Sequence, residues 1–141
     1  MEGFPLATQL DLNMGYYTIR LDADAQKICT IILPWGKYSY LRLPMGIAGS
    51  PDIFQEKMAS LMDALEFVRV YLDNLLIITK STYKEHLDCL GIVFVSLLHS
   101  GLKVNAAKSN FAMHEVEYLG YLLSCEGINP MPEKMITIVA I

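Results

Sequence analysis

Residues 67–79 read Phe-Val-Arg-Val-Tyr-Leu-Asp-Asn-Leu-Leu-Ile-Ile-Thr. β-Branched, aromatic and aliphatic residues fill both halves, and two polar turn-formers, Asp73 and Asn74, stand between them. The pattern predicts a tight β-hairpin with Asp73-Asn74 at its turn, since Asn tolerates positive φ. It also puts a carboxylate inside an apolar segment. Such a group is costly to desolvate unless it is paired, exposed at a turn or bound to a cation. Asp11 repeats the context, closing the run Ala-Thr-Gln-Leu-Asp at residues 7–11. Two aspartates so alike in setting and so far apart in sequence point to one cation site assembled by the fold.

Helices are predicted on either side of the hairpin. Gly49-Ser50-Pro51-Asp52 is a helix start: Ser50 can cap, Pro51 suits the first helical position, and Asp52 suits the positive end of the dipole. Phe54, Met58, Leu61, Met62 and Leu65 recur at three- and four-residue spacing and make one buried face. Thr82-Tyr83-Lys84-Glu85 is a capping-box pattern for a second helix. Its expected stripe is Leu87, Leu90, Phe94, Leu97 and Leu98, with Gly101 as C-terminal cap. Gly91, inside it, is read as a mark of close packing. Strands are expected over 16–21, where residues alternate at period two, then 27–33 and 38–43 with Pro34-Trp35-Gly36-Lys37 as turn, and later over 102–104, 111–113 and 118–123. Residues 105–110 and 125–130 are read as loops. Strands, helix, hairpin, helix, strands is the order of an α+β sandwich.

Composition narrows the classes. The chain has 141 residues, 53% of them hydrophobic, with mean hydropathy +0.35. That suffices for one domain with a substantial core. Charged residues interrupt every apolar block before the ~18 residues that span a bilayer are reached, so no membrane segment is expected. Met-Glu-Gly-Phe-Pro at the N-terminus lacks the pattern of a signal peptide. Cys29, Cys89 and Cys125 are odd in number and widely spaced, which argues against zinc or a disulfide framework and for small buried hydrophobes in a reducing compartment. His86, His99 and His114 lack ligand spacing and read as surface or core residues. The net charge of −4 argues against strong autonomous nucleic-acid binding.

The order of short blocks carries a resemblance. Tyr71-Leu72-Asp73-Asn74 resembles the Tyr-x-Asp-Asp hairpin of reverse transcriptases, with Asn last. Leu10-Asp11-Leu12-Asn13-Met14-Gly15-Tyr16 resembles the first metal-binding motif. Gly36-Lys37-Tyr38, Leu43-Pro44-Met45-Gly46 and Ser50-Pro51 to Phe54-Gln55 resemble the next blocks. His86-Leu87, Gly101 to Asn105, Lys108, Tyr118-Leu119-Gly120-Tyr121 and Glu126-Gly127-Ile128 continue the match. Order and spacing over residues 4–135 resemble the reverse transcriptase (RNA-directed DNA polymerase) of gypsy-type long-terminal-repeat retrotransposons.

The resemblance implies a palm with part of the fingers: an antiparallel sheet with helices packed on one face. It implies templated nucleotidyl transfer with Mg²⁺, or Mn²⁺, held by Asp11 and Asp73. Asn74 takes a catalytic position of the motif but brings no negative charge, so an impaired site is expected. Tyr16 resembles the aromatic wall under the incoming sugar; read alone it is equally a core tyrosine. Met45 stands where the family usually has Gln or Phe near the nucleotide, and Lys108 resembles a lysine that assists the leaving pyrophosphate, or is a solvated surface lysine. Tyr71, Leu119 and Gly120 resemble primer-gripping residues, the last two equally a hairpin edge packed on the core. Implied partners are an RNA or DNA template with primer and deoxynucleoside triphosphate, bound weakly by the isolated chain, and the finger, thumb and ribonuclease H segments of a polyprotein, at an intracellular location. Residues 1–141 are expected to form a single palm and partial-fingers domain, truncated at both ends and without integrase. Two rivals are a non-enzymatic retrotransposon remnant or partner-binding domain, and a ferredoxin-like module whose motifs match by chance.

Overall fold

Leu6–Asn13 (β1) is the strand around which the main sheet is built. In this computed structural model, which describes residues 6–131, β1 pairs antiparallel with Asn74–Thr79 (β5) from Leu6↔Thr79 to Asp11↔Asn74. The N-terminal pentapeptide read above lies outside the described residues. Val68–Tyr71 (β4) pairs with the far side of β5, and Lys103–Val104 (β6) and Asn110–Met113 (β7) pair with β1, giving the order β4-β5-β1-β6 with β7 also on β1. Thr30–Leu33 (β2) and Gly36–Ser39 (β3) form a separate hairpin, and Glu115–Tyr118 (β8), Tyr121–Ser124 (β9) and Gly127–Pro130 (β10) a three-stranded sheet.

Side-chain alternation divides the core in two. Leu10, Leu12, Leu75 and Ile77 meet Phe54, Met58 and Met62 of Ser50–Met62 (α2) and Leu90, Val93 and Leu97 of Tyr83–His99 (α3). Their neighbours in the strands, Ala7 and Leu76, cluster instead with Val116 and Leu123 of β8 and β9. One sheet face therefore carries the helices, as the α+β reading expects. The other carries the β8–β9 hairpin, and Asp11 follows Ala7 and Gln9 onto that second face.

Several expectations are corrected. Residues 16–21 are no strand: Gly15–Thr18 is a 3₁₀ turn entered through Met14 at φ 51°, because Tyr16 turns inward to stack on Phe54 at 4.7 Å. The 27–33 segment begins inside a short helix, Ala23–Ile28 (α1), whose cap Asp22 accepts from the Ala25 N–H. β3 ends at Ser39, short of the expected 43. The α2 cap is Gly49, and Ser50 is buried as its first residue. The buried stripe of α3 is His86, Leu90, Val93 and Leu97, while Leu87, Phe94 and Leu98 are exposed. No atom of the described residues comes within 4 Å of a Cβ built at Gly91, so it marks no close packing among them. Residues 118–123 are the end of one strand, the Leu119-Gly120 turn and most of the next, and 125–130 contains β10. Cys125 is exposed, Cys29 and Cys89 half-buried.

His86 enters the core because both ring nitrogens find hydroxyls: Thr8 Oγ1 at 2.7 Å from Nε2 and Thr79 Oγ1 at 2.8 Å from Nδ1. Thr8 Oγ1 also accepts from the Ala112 N–H at 2.9 Å. The buried imidazole thus links α3, β5, β1 and β7. Burial holds its pKa below the ordinary value of 6.5, in the neutral form.

Candidate active site

The hairpin turn lies one residue earlier than the polar pair suggests. Tyr71 pairs with Asn74, so Leu72 and Asp73 form the two-residue loop. Leu72 carries the positive φ, 51°, and Asn74 is the first residue of β5. A positive φ only at the first central position is the sign pattern of a type II′ turn, which matches the twist of the flanking strands. For Leu this conformation is strained and needs support.

Register then assembles the site. Asp11 lies opposite Asn74, and Asn74 opposite Tyr71, so these three side chains emerge in a row on one sheet face. The Leu12 N–H donates to the Asp73 carbonyl at 2.8 Å, joining the loop to the strand that bears Asp11. The other side of Asp11 is held by residues 105–109: the Asn105 N–H donates to the Asp11 carbonyl at 2.7 Å, and the Asp11 N–H donates to Ser109 Oγ at 3.1 Å. The Asp11 backbone is thus fixed from two directions, and the Asp73 backbone is tied to the same strand.

The Asp73 charge acts on its surroundings. The Asp11 pKa is raised from 3.8, first by burial and then by the Asp73 charge, while the Lys108 ammonium pulls it down. The Tyr16 phenol is pushed up, by burial and then by the Asp73 charge. Asn74 Nδ2 donates to Asp73 Oδ1 at 3.2 Å. A half-buried carboxylate whose ionisation is made costlier by burial and by a neighbouring carboxylate charge marks a place where a hard cation is stabilising. The donor set fits Mg²⁺, which is commonly held by one or two carboxylates with phosphate oxygens completing the shell. Among the described residues no three His, Cys, Asp or Glu side chains cluster to hold a metal.

The remaining residues named from sequence divide. Lys108 is exposed yet close enough to act on Asp11. Tyr71 is near Tyr118, whose pKa is raised by burial, lowered by Arg69 and raised by Tyr71. Leu119 and Gly120, at φ 51° and 79°, form the β8–β9 turn on this face of the sheet. Met45 is exposed between Leu43 and α2, and no hydrogen bond or ring contact among the described residues joins it to the others. Sequence reasoning does not single out Ser109, whose Oγ accepts from the Asp11 N–H, or Gln55, whose carboxamide bonds to the Val70 carbonyl and the Leu72 N–H. Both act on backbone groups, and no side-chain motif announces that.

The model of the family "Reverse transcriptase (RNA-dependent DNA polymerase)" matches residues 3–123. The Retrovirus-related Pol polyprotein from transposon 297 of Drosophila melanogaster is 33% identical over 135 residues, covering 94% of this chain and 13% of that protein. That from transposon gypsy of the same organism is 29% identical over 130 residues, covering 91% and 12%. Among solved structures, a foamy viral protease-reverse transcriptase in complex with double-stranded DNA superposes with TM-score 0.90 at 28% identity, covering 100% of this chain and 25% of that one. Another, in complex with RNA/DNA hybrid, gives 0.86 at 28% identity, covering 96% and 18%. The chain therefore spans about an eighth of the length of these curated relatives. No helix among the described residues is long and apolar enough to cross a membrane. Block order, sheet register and fold all agree, and the chain belongs to the reverse transcriptase family, with relatives among the gypsy-type long-terminal-repeat retrotransposons.

Proposed function

We propose that this chain is the palm, with part of the fingers, of a reverse transcriptase whose nucleotidyl-transfer site is weakened by Asn74. The observation that carries the reading is the register: Asp11 and Asn74 are cross-strand partners, and Asp73 is tied to the same strand through Leu12. In the reaction a primer 3′-oxygen attacks the α-phosphorus of a deoxynucleoside triphosphate, and pyrophosphate leaves. Divalent ions, when bound, activate the attacking oxygen and stabilise the leaving group. Asp11 and Asp73 hold the cation. Asn74 offers only an amide, already donating to Asp73, so the site has one negative charge fewer than the motif it resembles. Tyr16, fixed against Phe54, walls the sugar, and Lys108 stands on the Asp11 side where pyrophosphate charge develops. Tyr71 and the Leu119-Gly120 turn border the primer. The nucleic-acid complexes of the foamy viral enzymes support the same class of substrate here.

A remnant that keeps the fold and lacks the chemistry is favoured by one observation, the missing carboxylate at position 74. Paramagnetic broadening by Mn²⁺ separates the readings. Broadened amides are expected at Leu12, Asp73, Asn74 and Lys108, and the broadening is lost in Asp73→Asn. Each unit of charge at about 4 Å is worth about 1 kcal/mol even at the screening of bulk water, so Asn74→Asp gains about 2 kcal/mol with a divalent ion, about thirtyfold in affinity. No broadening at these positions in either the native chain or Asn74→Asp refutes the metal site.

A further inference from the structure

Gln55 lies on the half-buried side of α2, next in sequence to the core residue Phe54. Its carboxamide makes two hydrogen bonds to the hairpin. Nε2 donates to the Val70 carbonyl at 3.2 Å, and Oε1 accepts from the Leu72 N–H at 2.6 Å. β4 is the outer strand of the sheet. Since Tyr71 and Asn74 form the pair that closes the loop, the polar groups of Val70 point away from β5, and no strand among the described residues lies beyond them. The Gln55 amide supplies there the donor and acceptor that a neighbouring peptide unit would supply. It does so across the residue pair that leads directly into Asp73.

We infer that Gln55 is a positioning residue for Asp73: its amide holds the strained Leu72 backbone, and so sets where the Asp73 carboxylate stands relative to Asp11. The inference rests on the cation-site reading above. A left-handed Leu persists only where its surroundings over-determine it. The supports here are the Leu12-to-Asp73 bond on one side of the loop and Gln55 on the other. α2 thereby carries two adjacent site functions: Phe54 stacks beneath Tyr16, and Gln55 grips the loop bearing Asp73. A Glu at position 55 keeps the acceptor for Leu72 but cannot donate to Val70. A Met keeps the length and can make neither bond at full strength.

The test uses the full chain, Gln55→Met and Gln55→Glu, with two readouts: amide hydrogen exchange at Leu72, and Mn²⁺ affinity from titrated paramagnetic broadening. In Gln55→Met we expect Leu72 to exchange about tenfold faster or more while Leu75 and Ile77 keep their protection, because the loop opens locally and the sheet does not. Mn²⁺ affinity should fall about fivefold, a differential binding effect of loop order. Gln55→Glu should keep most of the Leu72 protection, and it decides the matter if Gln55→Met fails to fold. Unchanged Leu72 exchange overturns the clamp. Faster exchange with unchanged Mn²⁺ affinity overturns the positioning role while leaving the cation site standing. A native chain that binds no Mn²⁺ refutes the cation site itself, and the positioning role falls with it; Leu72 exchange then reports a structural brace alone.

Discussion

Gly15 leaves no room for a side chain. A Cβ built there would stand 2.5 Å from Phe54 Cζ, 3.0 Å from Cε2 and 3.4 Å from Cε1. Carbon atoms rest at about 3.5–4.0 Å, so the nearest contact is about 1 Å too close. Phe54 is 1% exposed and stacked on Tyr16, so its ring has no solvent to retreat into. Overpacking of this kind costs about 1–3 kcal/mol, and a rigid ring with no exit places Gly15→Ala near the top of that range. Loss of glycine's freedom in the unfolded chain returns about 0.5–1 kcal/mol. The net is about 2 kcal/mol, or about 8 °C in Tm for a domain of this size. Circular dichroism melts of Gly15→Ala, Phe54→Leu and the double variant measure it. The shorter Leu removes the obstructing ring edge, so Gly15→Ala should cost almost nothing in that background, with a coupling of about 2 kcal/mol. A single-variant Tm within about 2 °C of the native one, or an equal penalty in both backgrounds, refutes the steric argument.

Three further expectations concern charge. Asp11 has a folded pKa above 3.8, so as pH rises past that value the unfolded chain ionises first and the fold loses stability until the raised pKa is passed. Asp11→Asn should therefore raise the metal-free Tm at pH 7 and not at pH 3, as melts at the two pH values will report. His86 has a folded pKa below 6.5, so its neutral-form stability is present above 6.5 and lost as pH falls toward the depressed value. His86→Leu strands two buried threonine hydroxyls, costs about 2–4 kcal/mol at pH 7, and flattens that acid slope in urea titrations. In Asn74→Asp the amide that donates to Asp73 becomes a carboxylate, so the metal-free protein should melt slightly lower while Mn²⁺ raises its Tm by more than it raises that of the native chain; equal shifts would put Asn74 outside the metal site.

The hairpin and both aspartates were legible because each stands out against an apolar run. The placement of the turn was not. Asp73-Asn74 looks like the loop, yet Leu72 takes the positive φ, a choice set by Gln55 and by the Leu12-to-Asp73 bond rather than by local preference. α3 shows the same limit. Leu87, Phe94 and Leu98 make a plausible stripe by hydropathy, but the buried stripe is anchored by His86, whose polarity is cancelled by Thr8 and Thr79 from two distant strands. Tyr16–Leu21 alternates like a strand, and long-range stacking on Phe54 overrides it. What was lost in each case is a tertiary partner, and the periodicity of one segment contains no record of its partner.

The most direct measurement of the central claim is primer extension with Mg²⁺, on this chain fused to a complete finger and thumb, comparing the native sequence with Asn74→Asp and Asp73→Asn. Weak or no extension is expected from the native fusion, a clear gain with Asn74→Asp, and none with Asp73→Asn. Extension by Asp73→Asn at the level of Asn74→Asp would contradict that claim, as would an Asn74→Asp fusion that folds, binds primer-template and extends nothing.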